Sequence, residues 1–343
     1  MRQVTQRWAV VAVVTVLLVG CSGGKSPTTT RASTSTPGVD GSGNVTTVTT
    51  VTPYQSVDIV AKGATKLVVP GAPDWMAVAG GSAWTTTGGL TQLDGSTGAV
   101  LGTTALPGPV CLAMDVGFGS LWLGTCGTAR IVRVDPKTGK IVATIPLSVK
   151  DLQQEGSIAA GEGAVWAISS GGERLVKVDP TTNAEVATYP APPGATAVRA
   201  GFGSLWVTSR STDTLYRIDP ATGTVVAKIT VGHAPTFLAV GEGGVWTLDQ
   251  NDGTVTHIDP ADNRGVASIH IDAGRISGGD IAAGGGFVWA RVSSNLVAKI
   301  DAKTNLIIDI LAPASGSGRV AADATAAWVS AHDVNTVWRL PAG

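Results

Sequence analysis

The sequence predicts an all-β protein, a seven-bladed β-propeller built from four-stranded antiparallel blades and closed by an N-terminal strand. One observation is a tryptophan that recurs at intervals of 38 to 44 residues, the spacing of a repeat architecture. Another is a glycine-rich turn before the tryptophan, as in Gly117–Ser120, and a third is an aspartate 10 to 13 residues after it. The seven tryptophans are Trp84, Trp122, Trp166, Trp206, Trp246, Trp289 and Trp328.

Each repeat contains the patterns of four strands. Alternating hydrophobic and polar residues after the tryptophan predict strands with one face turned inward. Glycines close the first hairpin, and segments such as Asp135–Gly139 close another. A single blade cannot bury both of its faces, so the blades must stack around an axis. We therefore expect the seven tryptophans to pack between blades rather than to bind a ligand.

The two ends of the chain predict how the ring closes. The last repeat stops at Trp338–Pro341 and lacks a valine-rich outer strand. The segment Thr65–Pro70, which precedes the first repeat, matches the outer strand Lys140–Pro146. We expect residues 65–70 to complete the last blade, because this pairing removes a free sheet edge.

The first 20 residues have the pattern of an export signal. Arg2 and Arg7 are followed by an apolar stretch from Trp8 to Val19, which is too short to span a membrane comfortably. The stretch ends at Cys21 in a sequence that resembles the lipobox of bacterial lipoproteins. We expect residues 1–20 to be removed and Cys21 to carry a lipid. The product would be an exported protein anchored to the extracytoplasmic face of the cell membrane.

The remaining chain divides into two parts. Residues 21–55 consist largely of serine, threonine, glycine and proline, and we expect a flexible tether because such a segment buries little apolar surface. Residues 56–343 form the propeller. The 24 basic and 25 acidic residues leave a net charge of −1, which provides no basis for nucleic-acid binding. We expect a monomer with no metal and no cofactor.

Two cysteines, Cys111 and Cys126, lie within the second repeat. Cys111 lies five residues before Val116, and Cys126 lies five residues after Leu121. If Val116 pairs with Leu121 across the glycine-rich turn, the two cysteines therefore face each other on adjacent strands. In an oxidising compartment this favours a disulfide. A free thiol pair or a metal site is the alternative, although a metal needs more ligands than the neighbouring sequence offers.

The repeat resembles a known group of propellers. Val231–Trp246 and Asp219–Ala227 look like the YVTN or YncE-like repeat, and the resemblance covers roughly residues 56 to 343. It implies the propeller fold. Members of this superfamily serve as exported binding proteins, surface-layer modules and enzymes, so the resemblance leaves function open.

A more distant similarity links these blades to the virginiamycin B lyases, or streptogramin lyases. That family carries catalytic histidines in a Pro-His-x-Ile type segment between the outer strand of one blade and the inner strand of the next. Pro73–Met76 and Pro235–Leu238 match this segment, but Asp74 and Thr236 occupy the histidine position. Neither residue supplies an imidazole, so the similarity does not transfer the catalytic histidines.

Candidate ligand-binding residues follow from strand counting. The loops from second to third strand and from fourth strand to the next blade share one face, where function usually collects. Trp75 beside Asp74 could stack on a ring-bearing ligand, or could plug the channel by packing against Phe237 and Met76. The candidates on this face are Asp74, Trp75, Arg210, His233, Asp249, Arg291, Arg319 and His332.

The sequence predicts a binding or interaction module rather than an enzyme. His332 beside Asp333 is an acid/base pair by adjacency alone, and the segment Asp249–Gly253 fits a hairpin turn better than a calcium loop. The partner would be an envelope protein, a glycan or a small molecule, and the lipid at Cys21 would be the contact with the membrane. The alternatives are a lyase-like enzyme acting at the channel mouth and a scaffold without a small ligand.

Overall fold

The structure is a computed structural model that describes residues 34–39, 45–50, 55–109, 113–272 and 274–343. Within these residues it contains seven sheets, and each includes four antiparallel strands that form one of the seven predicted blades. The first strands of neighbouring blades contact one another in a closed ring and line a central channel. The predicted seven-bladed, all-β propeller is therefore confirmed.

In blades 1 to 6 the four strands run in chain order from the channel outward, and in blade 7 the outermost strand comes from the N-terminal segment. Blade 1 contains Met76–Ala79, Ser82–Thr86, Leu90–Asp94 and Val100–Thr104; blade 2 contains Met114–Gly117, Ser120–Thr125, Arg130–Val134 and Ile141–Pro146. Blade 3 contains Ile158–Gly161, Ala164–Ile168, Arg174–Asp179 and Ala184–Pro190; blade 4 contains Ala195–Gly201, Ser204–Ser209, Thr214–Ile218 and Val225–Thr230. Blade 5 contains Pro235–Gly241, Gly244–Asp249, Thr254–Asp259 and Arg264–His270; blade 6 contains Asp280–Gly284, Phe287–Arg291, Val297–Asp301 and Ile307–Ala312. Blade 7 contains Val320–Ala322, Ala326–Ala331, Thr336–Pro341 and Thr65–Val68.

The seven repeat tryptophans are core residues. Each lies on the second strand of its blade and is at most 1% exposed. In six blades the indole N–H donates to the carbonyl oxygen five residues earlier, at the end of the first strand, as Trp122 does to Gly117 at 2.9 Å. Because a buried indole N–H needs an acceptor, this bond holds the ring orientation within the blade.

A second repeated contact joins neighbouring blades. On the third strand, opposite the tryptophan, five blades have a lysine or arginine whose charged group lies 4.9 to 5.7 Å from the centroid of the indole ring. Arg217, for example, stacks on Trp206 and donates to the carbonyl of Pro260 in blade 5 at 2.8 Å. The tryptophan and its cation therefore link one blade to the next.

His257 occupies this stacking position in blade 5. Its imidazole stacks on Trp246 with ring centroids 3.7 Å apart. Its Nδ1 also lies 2.8 Å from Asn305 Oδ1 in blade 6. Strand alternation identifies the face on which a side chain lies, but it does not reveal that the neighbouring blade covers that face.

The segment before the first blade runs along the outer strands of blades 5, 6 and 7. Thr65–Val68 pairs antiparallel with Thr336–Pro341 and completes blade 7, the arrangement expected from the sequence. Val57–Asp58 pairs in parallel with the outer strand of blade 6. Within the segment expected to be a tether, Thr34–Val39 and Val45–Thr50 form a hairpin that pairs in parallel with the outer strand of blade 5.

Several predictions about processing and cysteine chemistry concern residues that the structure does not describe. Residues 1–20, Cys21 and Cys111 lie outside the described residues. The register of blade 2 pairs Leu121 with Val116, as assumed for the cysteine pairing, and Cys126 is disulfide-bonded. The pairing of Cys126 with Cys111 stays a prediction. Within the described ranges no helix is long and apolar enough to cross a membrane.

Candidate functional site

The candidate site is the channel mouth on the face formed by the second-to-third-strand loops and the connections between blades. Seven positions surround the channel here, each nine residues before its blade's tryptophan. Because side chains alternate along a strand, these positions share one orientation toward the channel. They are Trp75, Ala113, Ser157, Ala197, Phe237, Asp280 and Arg319.

An aromatic and cationic stack closes this end of the channel. The Arg319 guanidinium lies 4.1 Å from the Trp75 ring centroid and 5.0 Å from the Phe237 ring centroid. The three side chains come from blades 7, 1 and 5, and all three residues are at most 3% exposed. Of the two interpretations of Trp75, this packing matches the plug, because Arg319 covers the ring face that a ligand would need.

Acidic groups surround the buried guanidinium. Glu155 reaches from the opposite side of the ring and places Oε1 3.2 Å from Arg319 Nη2, and Asp74 Oδ1 lies 3.8 Å from Nε. Asp280 is also buried; burial raises the pKa of its carboxyl, and the charges of Arg319 and Arg199 act against this rise. The carboxylates of Glu155 and Asp74 compensate the charge that the stack holds away from water.

Two atoms of this cluster lack a hydrogen-bond partner although they are buried. They are Asp74 Oδ1 and Arg319 Nε, and Ser157 Oγ, elsewhere on the same ring of positions, is in the same state. A buried polar atom without a partner costs free energy, so such atoms mark places where water or a ligand group completes the site.

His332 lies at the rim beside this cluster. Its Nε2 is 2.7 Å from Asp333 Oδ1, and its Nδ1 is 3.8 Å from Asp74 Oδ1. The imidazole therefore stands between two carboxylates in a half-buried position. Such an arrangement can accept or donate a proton, which gives the adjacent pair seen in the sequence a real geometric basis.

Arg291 has a structural position rather than a ligand-facing one. It is fully buried, and its guanidinium donates to backbone carbonyls that include Val292, Gly316 and Ser330. Burial, together with the nearby Arg319 charge, lowers the pKa of Arg291 to about 10. The side chain ties the loops of blades 6 and 7 together and has no face open to the mouth.

Asp249 also lies inside the protein, in blade 5. Its carboxylate accepts hydrogen bonds from the hydroxyls of Thr247, Thr254 and Thr256 at 2.7, 3.2 and 2.6 Å. Burial raises its pKa to about 7 despite these bonds. The following segment closes as a turn, with the Gly253 N–H donating to the Asp249 carbonyl oxygen.

The other two sequence candidates lie apart from the cluster. His233 is exposed, with Nδ1 2.9 Å from Asp252 Oδ1, and this carboxylate raises its pKa. Arg210 is exposed in the loop after Ser204–Ser209. The structure thus brings Asp74, Trp75, Arg319 and His332 together. Among the described residues, no three histidine, cysteine or carboxylate side chains are placed to hold a metal.

Sequence reasoning missed two charged residues in the channel. Asp115 and Arg199 lie on the first strands of blades 2 and 4, opposite Trp122 and Trp206. Both are seven residues before their tryptophan, where the other five blades have alanine. Counting back from each tryptophan, rather than counting loops, would have identified them.

Comparisons with known proteins support the fold. No family model and no curated protein matches the chain. Among solved structures, virginiamycin B lyase from Staphylococcus aureus has a TM-score of 0.68 and 16% identity, covering 81% of this chain and 98% of that chain. BamB from Moraxella catarrhalis gives 0.55 and 15%, with 78% and 84% covered, and U3-55K gives 0.67 and 10%, with 80% and 98% covered. At these identities the likeness is one of fold.

Proposed function

We propose that this protein is an exported, lipid-anchored interaction module that binds an envelope protein through the mouth face of its propeller. The lipid is attached at Cys21, and residues 56–343 carry the recognition surface. We also propose that the chain is related to the YVTN or YncE-like propellers, whose members include exported binding proteins.

The observation that carries the proposal is the closed mouth. Trp75, Phe237 and Arg319 fill the channel at this end, so the face presents a surface rather than a pocket for a small molecule. Small-molecule sites are concave and enclose most of their ligand, whereas protein interfaces are broad.

The rim around the closed mouth has the character of a recognition surface. Arg210 and His233 are exposed on it, and the side chains of Glu155 and Asp333 are about half exposed. Charges of both signs on a rigid surface select partners by complementary potential, and arginine is enriched at the centres of such interfaces.

Native-complex analysis tests this function. The full chain, expressed in its host and extracted in mild detergent, should migrate above its monomer size on a native gel. A double charge reversal on the mouth face, Arg210→Glu with His233→Glu, should abolish the complex. The matched reversal on the opposite face, Lys137→Glu with Arg264→Glu, should preserve it. If both double variants lose the complex, or if neither does, the result contradicts an interface on the mouth face.

Lipid attachment and the disulfide have separate tests. Metabolic labelling with an alkyne palmitate analogue should label the wild-type chain, and Cys21→Ser should remove the label. Peptide mapping of the exported protein without reduction should recover Cys111 and Cys126 in one linked peptide. An unlabelled wild type, or two alkylated free thiols, would overturn the corresponding part of the proposal.

One observation favours a second function, a carbon-oxygen lyase related in chemistry to virginiamycin B lyase. His332 lies between the carboxylates of Asp74 and Asp333 at the mouth. An elimination needs a base that takes a proton from the carbon next to the one bearing the leaving oxygen, and His332 is placed to act as that base. Incubation with virginiamycin B, followed by mass spectrometry, should then show a linear product that His332→Ala fails to form.

A further inference from the structure

The central channel contains a cavity beyond the plug that forms the mouth. Its volume is about 280 Å³, and its walls are the first strands of the blades. Trp75, Phe237 and Arg319 lie on the mouth side, two residues before the lining residues Ala77, Ala239 and Ala321. The lining continues to partly exposed residues such as Val116 near the first hairpin turns. It therefore opens on the face opposite the proposed protein interface.

Most residues of the cavity wall have small or apolar side chains, but the surface that faces the cavity is largely polar. The positions paired with the repeat tryptophans carry alanine in five blades, and four of these alanines, Ala77, Ala239, Ala282 and Ala321, line the cavity. Asp115 in blade 2 and Arg199 in blade 4 are the charged side chains among the described lining residues. Since five blades fold with alanine at this position, the fold itself does not require a charge here.

The two charges do not neutralise each other by direct contact. No nitrogen of Arg199 lies within 4.0 Å of an oxygen of Asp115 or of any other carboxylate that the structure describes. Burial raises the pKa of Asp115, and the Arg199 charge and two backbone N–H groups, those of Ala160 and Val116, oppose this rise. Asp115 is thus a carboxyl group held by two backbone N–H groups, close enough to Arg199 to be influenced by its charge but not in direct contact with it.

Arg199 keeps free donors toward the cavity it lines. Its Nη1 donates to the carbonyl oxygens of Ile158 and Val198 at 3.2 and 2.9 Å. Its Nε and Nη2 have no protein partner among the described residues. These two nitrogens form one edge of the guanidinium, the edge that binds a carboxylate with two parallel hydrogen bonds.

The same two blades carry exposed aromatic side chains in their first hairpin turns, on the face toward which the cavity lining extends. Phe118 and Phe202 occupy the first hairpin turns of blades 2 and 4, and each is 42% exposed. Both have φ of +53°, a region that bulky residues rarely adopt. Blades 3 and 5 have Glu162 and Glu242 in the same turn position with a similar φ. A phenylalanine here is therefore not demanded by the turn, and it offers apolar contact to a molecule entering the channel.

We propose that the channel binds a small zwitterion of the amino-acid class. Its carboxylate binds the free edge of Arg199, its ammonium group binds Asp115, and its apolar part contacts the small side chains of the wall. The cavity lies just below the range of about 300–1,000 Å³ for drug-sized ligands, so the ligand is small. This inference is independent of the proposed protein interface.

Calorimetric titration of the full chain tests the proposal. The probes are L-leucine, glycine and 4-aminobutyrate, which vary the apolar part and the separation of the two charges. At least one should bind with one-to-one stoichiometry. Butyrate and butylamine, which each keep one of the charges of 4-aminobutyrate, should bind at least about tenfold more weakly than the best zwitterion.

Two variants locate the site. Asp115→Ala and Arg199→Ala install the residue found in the other five blades, and each should weaken binding at least about tenfold. The control pair Asp262→Ala and Arg264→Ala removes an exposed acid and base outside the channel and should leave affinity unchanged. If an alanine variant unfolds, Asp115→Asn and Arg199→Lys replace it. The absence of binding by all three zwitterions, or binding that survives both channel substitutions, would overturn the proposal.

Discussion

Arg319 shows how one residue can decide the character of the mouth. Its guanidinium is buried between two aromatic rings and is compensated by Glu155 and Asp74. Buried charges of this kind contribute little when they are intact, but they become costly once a partner is removed. Arg319 therefore positions the two aromatic rings, while its intact ion pairs add little to the free energy of unfolding.

Replacing Arg319 should accordingly destabilise the whole domain. In Arg319→Ala the carboxylates near the stack lose their compensating charge and the two rings lose their common contact, at a cost of about 3–5 kcal/mol. Urea denaturation followed by circular dichroism measures this difference. Arg264→Ala, an exposed arginine, should change the free energy of unfolding by no more than about 0.5 kcal/mol. Equal effects of both substitutions would contradict the buried stack.

Asp249 should make stability depend on pH. Its pKa is about 7 in the folded protein, against 3.8 for an ordinary aspartate, because burial disfavours its charged form. The folded state therefore holds a proton that the unfolded state releases between pH 4 and pH 7. Its contribution to stability falls as the pH rises through this window, by up to about 4 kcal/mol in total, and is constant above it.

The variant Asp249→Asn isolates this effect. The amide has no carboxyl to titrate, so the difference in unfolding free energy between wild type and variant should become less favourable to wild type from pH 4 to pH 7. Thermal unfolding across this range measures it, with Asp262→Asn as the exposed-residue control. A wild-type-minus-variant difference that does not change with pH would show that the carboxyl is not buried as described.

At the level of single residues, the sequence predicted part of the candidate site. Strand counting placed Asp74, Trp75, Arg319 and His332 on one face, and these four residues do meet. It also placed Arg210 and His233 there, but loop conformation, which follows no simple period, keeps them outside the cluster. The burial of Asp249 could not be predicted, because it depends on three threonine hydroxyls gathered from two strands.

The repeated element of the fold is the tryptophan with its stacked cation and the hydrogen bond to the next blade. Lysine or arginine in five blades and His257 in blade 5 all serve this position. Blade 1 is the exception, because Gln92 lies opposite Trp84 and bonds only to Ser82 in its own blade. The contact between blades 1 and 2 therefore lacks this link.

This asymmetry predicts different costs for equivalent substitutions. Arg217→Ala removes the stacking on Trp206 and the bonds to Pro260 and Asn263, so it should lower the free energy of unfolding by about 2–3 kcal/mol. Gln92→Ala should cost about 1 kcal/mol or less, since no bond between blades is lost. Chemical denaturation of both variants provides the comparison. Similar losses would mean that the stacked cation does not join the blades.

The sequence predicted the strands and hairpins of the blades but not the role of the stacked cations. The tryptophan spacing and the aspartate turns were sufficient for the strands and the hairpins, because both depend on local periodicity and turn chemistry. The stacked cations were visible in the repeats but carried no signal of their function. Recognising it requires the register that pairs each cation with a tryptophan, together with the neighbouring blade that the cation reaches.

For the whole molecule, the segment before blade 1, residues 55–68, determines how the ring of blades is completed. Thr65–Val68 supplies the outer strand of blade 7, and the buried Ile59 anchors the segment before it. The hairpin of Thr34–Val39 and Val45–Thr50 was not expected, although Val45–Thr50 consists of valine and threonine, which favour strands. Composition alone had assigned this stretch to a tether.

Removing the strand that completes blade 7 should therefore destabilise the closed ring of blades. Deletion of residues 55–68 exposes the edge of Thr336–Pro341 and removes buried side chains, so the melting temperature should fall by about 10 °C or more. Deletion of residues 34–50, which leaves all seven blades four-stranded, should have a much smaller effect. If the two deletions proved equivalent in calorimetry, the N-terminal strand would not be what closes the propeller.

The central claim is that the mouth face of the propeller binds the partner. Photo-crosslinking in the native host tests this claim most directly. Benzoylphenylalanine replaces Arg210 on the mouth face or Lys137 on the opposite face, both exposed positions. We expect illumination to give one discrete adduct from position 210 and none from position 137. An adduct from position 137 alone, or from neither position, would contradict the mouth as the interaction surface.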